Sequence, residues 1–89
     1  MKIHWKISLF GKVQGVWFRK HTLKEAEELG LKGFVKNLND GSVYIEVEGE
    51  EAVVSKFVAW CSRGPELANV KKVSMTKSDL QGFNSFVIA

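Results

Sequence analysis

Cysteine is all but missing: Cys61 stands alone among 89 residues. No intramolecular disulfide can form, and the expected compartment is a reducing one, with the cytoplasm the default. No apolar run is long enough to cross a bilayer, and residues 1–20 hold no signal-peptide core, so no membrane role is expected. Linkers, low-complexity tracts and internal repeats are absent. Histidine is scarce, and His4, His21 and Cys61 are too scattered to suggest a metal site. Charge excess is lacking too. A formal net charge of +3 favours anionic partners in general and does not mark a nucleic-acid binder.

What is present is an ordinary globular composition, 45% hydrophobic and 26% charged. The length has room for one compact domain, residues 1–89, with a modest stability margin.

Residues 3–13 alternate, with Ile3, Trp5, Ile7, Leu9 and Val13 on one face and His4, Lys6, Ser8 and Lys12 on the other. Period two predicts a half-buried strand. Phe10 breaks the pattern and Gly11 marks a bulge or close approach. Residues 19–29 switch to helical spacing, with Thr22, Leu23, Ala26 and Leu29 in one stripe. Leu29-Gly30-Leu31 is the signature of a helix stop. Residues 33–38 and 42–48 read as strands joined by a hairpin at Asn39-Asp40-Gly41. Glu50 and Glu51 open a second helix, where acids suit the positive end of the dipole. Val53, Val54, Phe57, Val58 and Cys61 form its apolar stripe, with Trp60 at the edge, and Gly64-Pro65 ends it. Residues 69–77 are a lysine-rich edge strand, and residues 83–88 a last short one. The order predicts an α+β fold of the split βαβ (ferredoxin-like) type: βαββαβ plus a short C-terminal strand. Two helices cover one face of a mostly antiparallel sheet.

The loop between the first strand and the first helix, KVQGVWFRKHT (12–22), contains no acid. A strand-to-helix loop can turn consecutive N–H groups toward one point, beside the positive end of the helix, and so hold an oxyanion. Gly15 permits the close approach, and Arg19 can add a bidentate contact to a phosphate-like group. On these two residues alone, an ordinary surface loop is the simpler account. Asn37, near the end of a strand, is by itself best read as a residue that starts the Asp-Gly turn. Its carboxamide can also donate to one group while accepting from another, and so orient a water.

GKVQGVWFR (11–19), followed by GFVKNLNDGSVYIEVEG (33–49), resembles the paired signatures of the acylphosphatase family. The similarity runs through KHTLKEAEELGL and into the second helix, covering nearly the whole chain. The resemblance implies a ferredoxin-like fold that hydrolyses acyl phosphates to a carboxylate and inorganic phosphate. It implies that Arg19 binds the phosphate and that Asn37 positions the attacking water. Family members often carry arginine before that asparagine; here it is Lys36, a position not assigned to catalysis. Trp17 stands at a variable position.

The chemistry suits the residues. An acyl phosphate leaves as a carboxylate whose conjugate acid has a pKa of about 4 to 5, so no strong general acid is required. The bound dianion, with a second pKa of roughly 6, can take the water's proton itself. Gripping three phosphoryl oxygens and aiming a water are the remaining tasks, and positioning and electrostatics dominate phosphoryl transfer. The expectation is therefore that backbone amides of Gln14, Gly15, Val16, Trp17, Phe18 and Arg19 cradle the phosphoryl group, with Arg19 as clamp and Asn37 as water guide. No cofactor and no metal are expected. The partners are a small acyl phosphate and inorganic phosphate, with no nucleic acid and no membrane, and monomer is the default state.

His4 and His21 are expected to be solvated, Cys61 to fill the core, and Asp40 to serve the turn. Trp5 and Phe57 are assigned to the core. Trp17 either lines the mouth of the site or is an exposed loop aromatic. Two rivals remain. An RNA-recognition motif shares the split βαβ order, yet its aromatic signature is not reproduced by Phe34 and Tyr44. A non-catalytic anion module, as found at the start of larger carbamoyl-phosphate-handling proteins, is the other. The domain fills the chain, which favours a free-standing enzyme.

Overall fold

The computed structural model describes all 89 residues. The chain runs β1 (Lys2–Lys12), α1 (Phe18–Glu28), β2 (Lys32–Asn37), β3 (Val43–Glu50), α2 (Glu51–Arg63), β4 (Asn69–Ser78) and β5 (Phe86–Ile88). The sheet order is β4-β1-β3-β2-β5. All pairings are antiparallel except β2 with β5, which is parallel. Helix α1 packs on β2 and β5, and α2 on β3, β1 and β4. This is the expected ferredoxin-like arrangement, with the lysine-rich strand at an edge as anticipated.

Alternation along the strands builds the core. Ile7, Leu9, Val35, Val43, Ile45 and Val47 are fully buried, as are Val54, Phe57 and Cys61 from the α2 stripe. Each such aliphatic side chain contributes about 2 kcal/mol by leaving water. Trp5 is half-buried at the core's margin, with the Lys77 ammonium 5.6 Å from its ring centroid. The bulge falls where Gly11 predicted it, as a register shift between Phe10 and Gly11 against β4. Helix α1 ends as Leu29-Gly30-Leu31 implied: Leu31 N–H donates to the Ala26 carbonyl at 2.9 Å, and Gly30 N–H to that of Glu27 at 3.1 Å. That bond pair satisfies the last carbonyls of the helix. No helix is long and apolar enough to cross a membrane.

Two expectations need correction. The last strand is confined to Phe86–Ile88, so residues 83–85 lie outside it. Residues 79–85 instead form a strap across the sheet face opposite the helices. His4, expected in solvent, lies beneath that strap and is only 1% exposed. Its Nδ1 is 2.8 Å from Glu48 Oε2 and its Nε2 is 2.8 Å from Glu46 Oε1. Phe83 stacks on its ring at 5.8 Å and meets Phe34 edge-on at 5.8 Å. Phe83 thus occupies the sheet face on which bases lie in RNA-recognition motifs.

Glu48 is the anchor of the strap. Its carboxylate accepts N–H groups from Gln81, from Gly82 at 3.1 Å and from Phe83 at 3.3 Å. Burial alone would push this carboxyl up. The Gln81 N–H, the His4 ring and the other strap N–H groups outweigh it and hold the carboxyl below its usual range. Tyr44 donates its hydroxyl to Glu46 Oε2 at 2.7 Å. Burial, reinforced by Glu46, pushes the phenol up to about 12.

Candidate active site

Strand β1 delivers the chain into the loop through Val13, which is fully buried. Val16 and Phe18 then turn inward, 6% and 2% exposed. The Phe18 ring meets Trp60 of α2 edge-on at 5.8 Å. These inward side chains leave Gly15, Trp17 and Arg19 on the outside. Gly15 has φ +73° and Trp17 has φ +62°, while Val16 between them has an ordinary negative φ. Such alternation turns successive N–H groups to one side, the geometry of an anion nest. Gly15 adopts it at no steric cost. Trp17 is held there against a strain of roughly 1–3 kcal/mol, which its identity did not foretell.

The loop's donors are free. None of the backbone bonds outside helices and strands starts from Gln14, Gly15, Val16 or Trp17. The first bond of α1 is His21 N–H to the Trp17 carbonyl at 3.1 Å, so Phe18, Arg19 and Lys20 precede any helical partner. The helix start has no side-chain cap and no acid in its first turn. Nothing in the chain neutralises its positive end.

Arg19, second residue of α1, is exposed and enters none of the ion pairs. Asn37 is the last residue of β2. The two line one cleft of about 650 Å³ together with Gln14, Gly15 and Lys20, and no carboxylate borders it. Trp17, Leu23 and Ile88 form its apolar wall. Asn37 Oδ1 is buried without a hydrogen-bond partner. An orphaned acceptor of this kind costs about 1–3 kcal/mol, and in a folded protein such an atom calls for an explanation.

The sequence reasoning missed four lining residues: Val13, Lys20, Leu23 and Ile88. Lys20 adds a second cation, 5.5 Å from the Trp17 ring centroid; it was visible as the neighbour of Arg19. Leu23 lies one helical turn beyond Arg19. Ile88 reaches the cleft only through the parallel pairing of β5 with β2, for which the sequence has no local signal. Trp17 lines the cleft while remaining 68% exposed, which joins the two roles left open for it.

The remaining candidates fall outside the cleft. His21 is exposed. Cys61 is fully buried, and burial pushes its thiol up, away from the reactive thiolate. Asp40 accepts the Ser42 N–H at 2.9 Å and the Ser42 hydroxyl at 2.5 Å. Those bonds hold its carboxyl below the usual value, in keeping with a turn role. Lys36 turns to the other face, where its ammonium lies 5.7 Å from the ring centroids of Phe34 and Tyr44.

A family model described as Acylphosphatase matches residues 5–88. The chain is 46% identical over 84 residues to an acylphosphatase of Archaeoglobus fulgidus, covering 94% of each chain. It is 43% identical over 86 residues to one of Synechococcus sp., covering 97% of this chain and 96% of that one. Its fold is similar to the crystal structure of acylphosphatase from Bacillus subtilis, with a TM-score of 0.95, 38% identity and 98% coverage of each chain. With an acid-free cleft, unpaired amides at a helix start and this extent of likeness, the chain belongs to the acylphosphatase family of hydrolases.

Proposed function

We propose that the cleft hydrolyses acyl phosphates to a carboxylate and inorganic phosphate by in-line attack of water at phosphorus. The N–H groups of the Gln14–Arg19 loop hold the phosphoryl oxygens, and the Arg19 guanidinium clamps them. Asn37 Oδ1 accepts a hydrogen of the attacking water. As the water oxygen bonds to phosphorus, the bond from phosphorus to the acyl oxygen breaks and its electron pair leaves with the carboxylate. The water's proton passes to a phosphoryl oxygen. A weakly basic leaving group asks for no general acid and no metal, and an acid-free cleft spares the dianion repulsion.

The observation that carries this reading is the buried, partnerless Oδ1 of Asn37 in the same cleft as the unpaired Arg19. Any ordinary turn asparagine would satisfy that atom locally. The reading extends to a cytoplasmic monomer acting on a small-molecule substrate; a chain whose one cysteine is buried and unbridged suits a reducing compartment.

The test is hydrolysis of benzoyl phosphate, with p-nitrophenyl phosphate as the monoester control, in the presence and absence of EDTA. Turnover of the first alone, unchanged by the chelator, is the expected result. Loss of activity with EDTA, or equal turnover of both, contradicts the mechanism.

A further inference from the structure

The phosphate loop and Asn37 belong to different elements, and in-line attack depends on the distance between them. A misplacement of about 1 Å can cost roughly a hundredfold in rate. One side chain spans that gap. The Gln14 carboxamide donates both of its N–H groups across it, to the Leu38 carbonyl at 2.8 Å and to the Ser42 carbonyl at 2.8 Å. Leu38 follows Asn37 directly. Ser42 O also accepts Leu38 N–H at 2.9 Å, the bond that closes the turn. Ser42 itself is 1% exposed, so its carbonyl is a fixed point. Among the side-chain hydrogen bonds of the chain, these two alone join the loop to the segment after Asn37.

We infer that Gln14 is a positioning residue: its carboxamide sets the span between the phosphate cradle and the water held by Asn37. The inference rests on the mechanism proposed above and adds a role for a side chain whose N–H groups are both committed to protein carbonyls. The chemistry explains the residue type. Two carbonyl oxygens must be bridged by one group with two coplanar donors, which a carboxamide supplies and a carboxylate, hydroxyl or thioether does not. Phosphate affinity, by contrast, comes from the backbone amides and Arg19, to which the Gln14 side chain makes no hydrogen bond.

A merely structural staple and a positioning residue differ in what they change. The experiment measures kcat for benzoyl phosphate, inhibition by inorganic phosphate, and thermal stability. It uses Gln14→Met and Gln14→Ala, each alone and combined with Asn37→Ala. Gln14→Met keeps length and bulk, and Gln14→Ala covers the case in which the thioether misfits. On folded protein, kcat falls about tenfold or more while the inhibition constant of phosphate stays within about threefold, because the interaction lost is one used in the transition state. Combined with Asn37→Ala, either variant adds no further loss, the non-additivity expected when one residue acts through another. Unchanged kcat with lowered stability makes Gln14 a staple only and overturns the inference. So do multiplicative losses in the double variants, or a parallel loss of phosphate affinity. Full turnover by Asn37→Ala alone removes the water role and the inference with it. Lost turnover in Asn37→Ala beside full turnover in both Gln14 variants removes the inference alone.

Discussion

The loop after β1 and the cluster around His4 near its start handle polar groups in opposite ways. At the loop, polar groups are unmet: the amides of Gln14 to Trp17, the Arg19 guanidinium and one buried acceptor, Asn37 Oδ1. Under the strap, the buried polar side chains are met inside the protein. His4 faces a carboxylate at each ring nitrogen, and Glu48 accepts from His4 and from three strap N–H groups. Both carboxylate contacts of His4 are hydrogen bonds only when both nitrogens carry protons. The positive loop is left open for an anion from outside, while the His4 ring is closed off by carboxylates of the chain. Unmet and met polar groups thus lie at separate ends of one strand.

Changes at the open end should cost activity and spare stability. Arg19→Ala is expected to have the largest effect, a fall of about a thousandfold in kcat/KM from losing a transition-state cation. Thermal stability is unchanged, because Arg19 has no protein partner to lose. A drop in melting temperature would erase the contrast. Asn37→Ala is expected to lower kcat by about a hundredfold, while the inhibition constant of phosphate moves by less than about threefold. Its stability should hold or rise, since an orphaned acceptor is removed.

Changes at the closed end should do the reverse. His4→Ala is expected to cost about 3 kcal/mol in denaturant unfolding, because it empties a buried site under the strap and takes one hydrogen-bond partner each from Glu46 and Glu48. Turnover per folded molecule should stay at the parent level. The pH dependence has two signs. Glu48 has a lowered folded value, so its contribution is present above the ordinary carboxylate range and is lost as pH falls through the folded value. The stability gap between the parent and Glu48→Gln should therefore close on the acid side. Tyr44 has a raised value, about 12 against an ordinary 10.0. Its contribution is full below the ordinary value and is lost as pH rises through the folded one. It is the only tyrosine, so absorbance at alkaline pH reads it directly, and Glu46→Gln should draw the midpoint down. The smallest effect belongs to Trp17→Gly. It relieves a left-handed backbone at an exposed side chain and should change stability by no more than about 1 kcal/mol, in the favourable direction.

The sequence carried the architecture because period two and period 3.6 alternate cleanly along it. Leu29-Gly30-Leu31 and Asn39-Asp40-Gly41 punctuate it where the structure turns. Arg19 and Asn37 were singled out through the two motifs they sit in, and both line one cleft. The other half of the site was not legible. Trp17 adopts a glycine-like φ without being glycine, so no residue type announces it. Ile88 arrives through a parallel pairing set by tertiary packing. His4 was assigned to the correct face and the wrong environment, because Leu80 to Ser85 has no periodicity to reveal that it crosses above the sheet. Gln14 read as a loop residue, since donors aimed at Leu38 and Ser42 depend on a fold that brings residues 24 and 28 positions away alongside it.

A crystal of the protein soaked in sulfate or phosphate tests the division most directly. The tetrahedral ion should lie on the N–H groups between Gly15 and Arg19, with the guanidinium of Arg19 against it and a water between the ion and Asn37 Oδ1. An ion found only elsewhere, or one bound in the loop with Asn37 bonded to protein and no water on its far side, would contradict it.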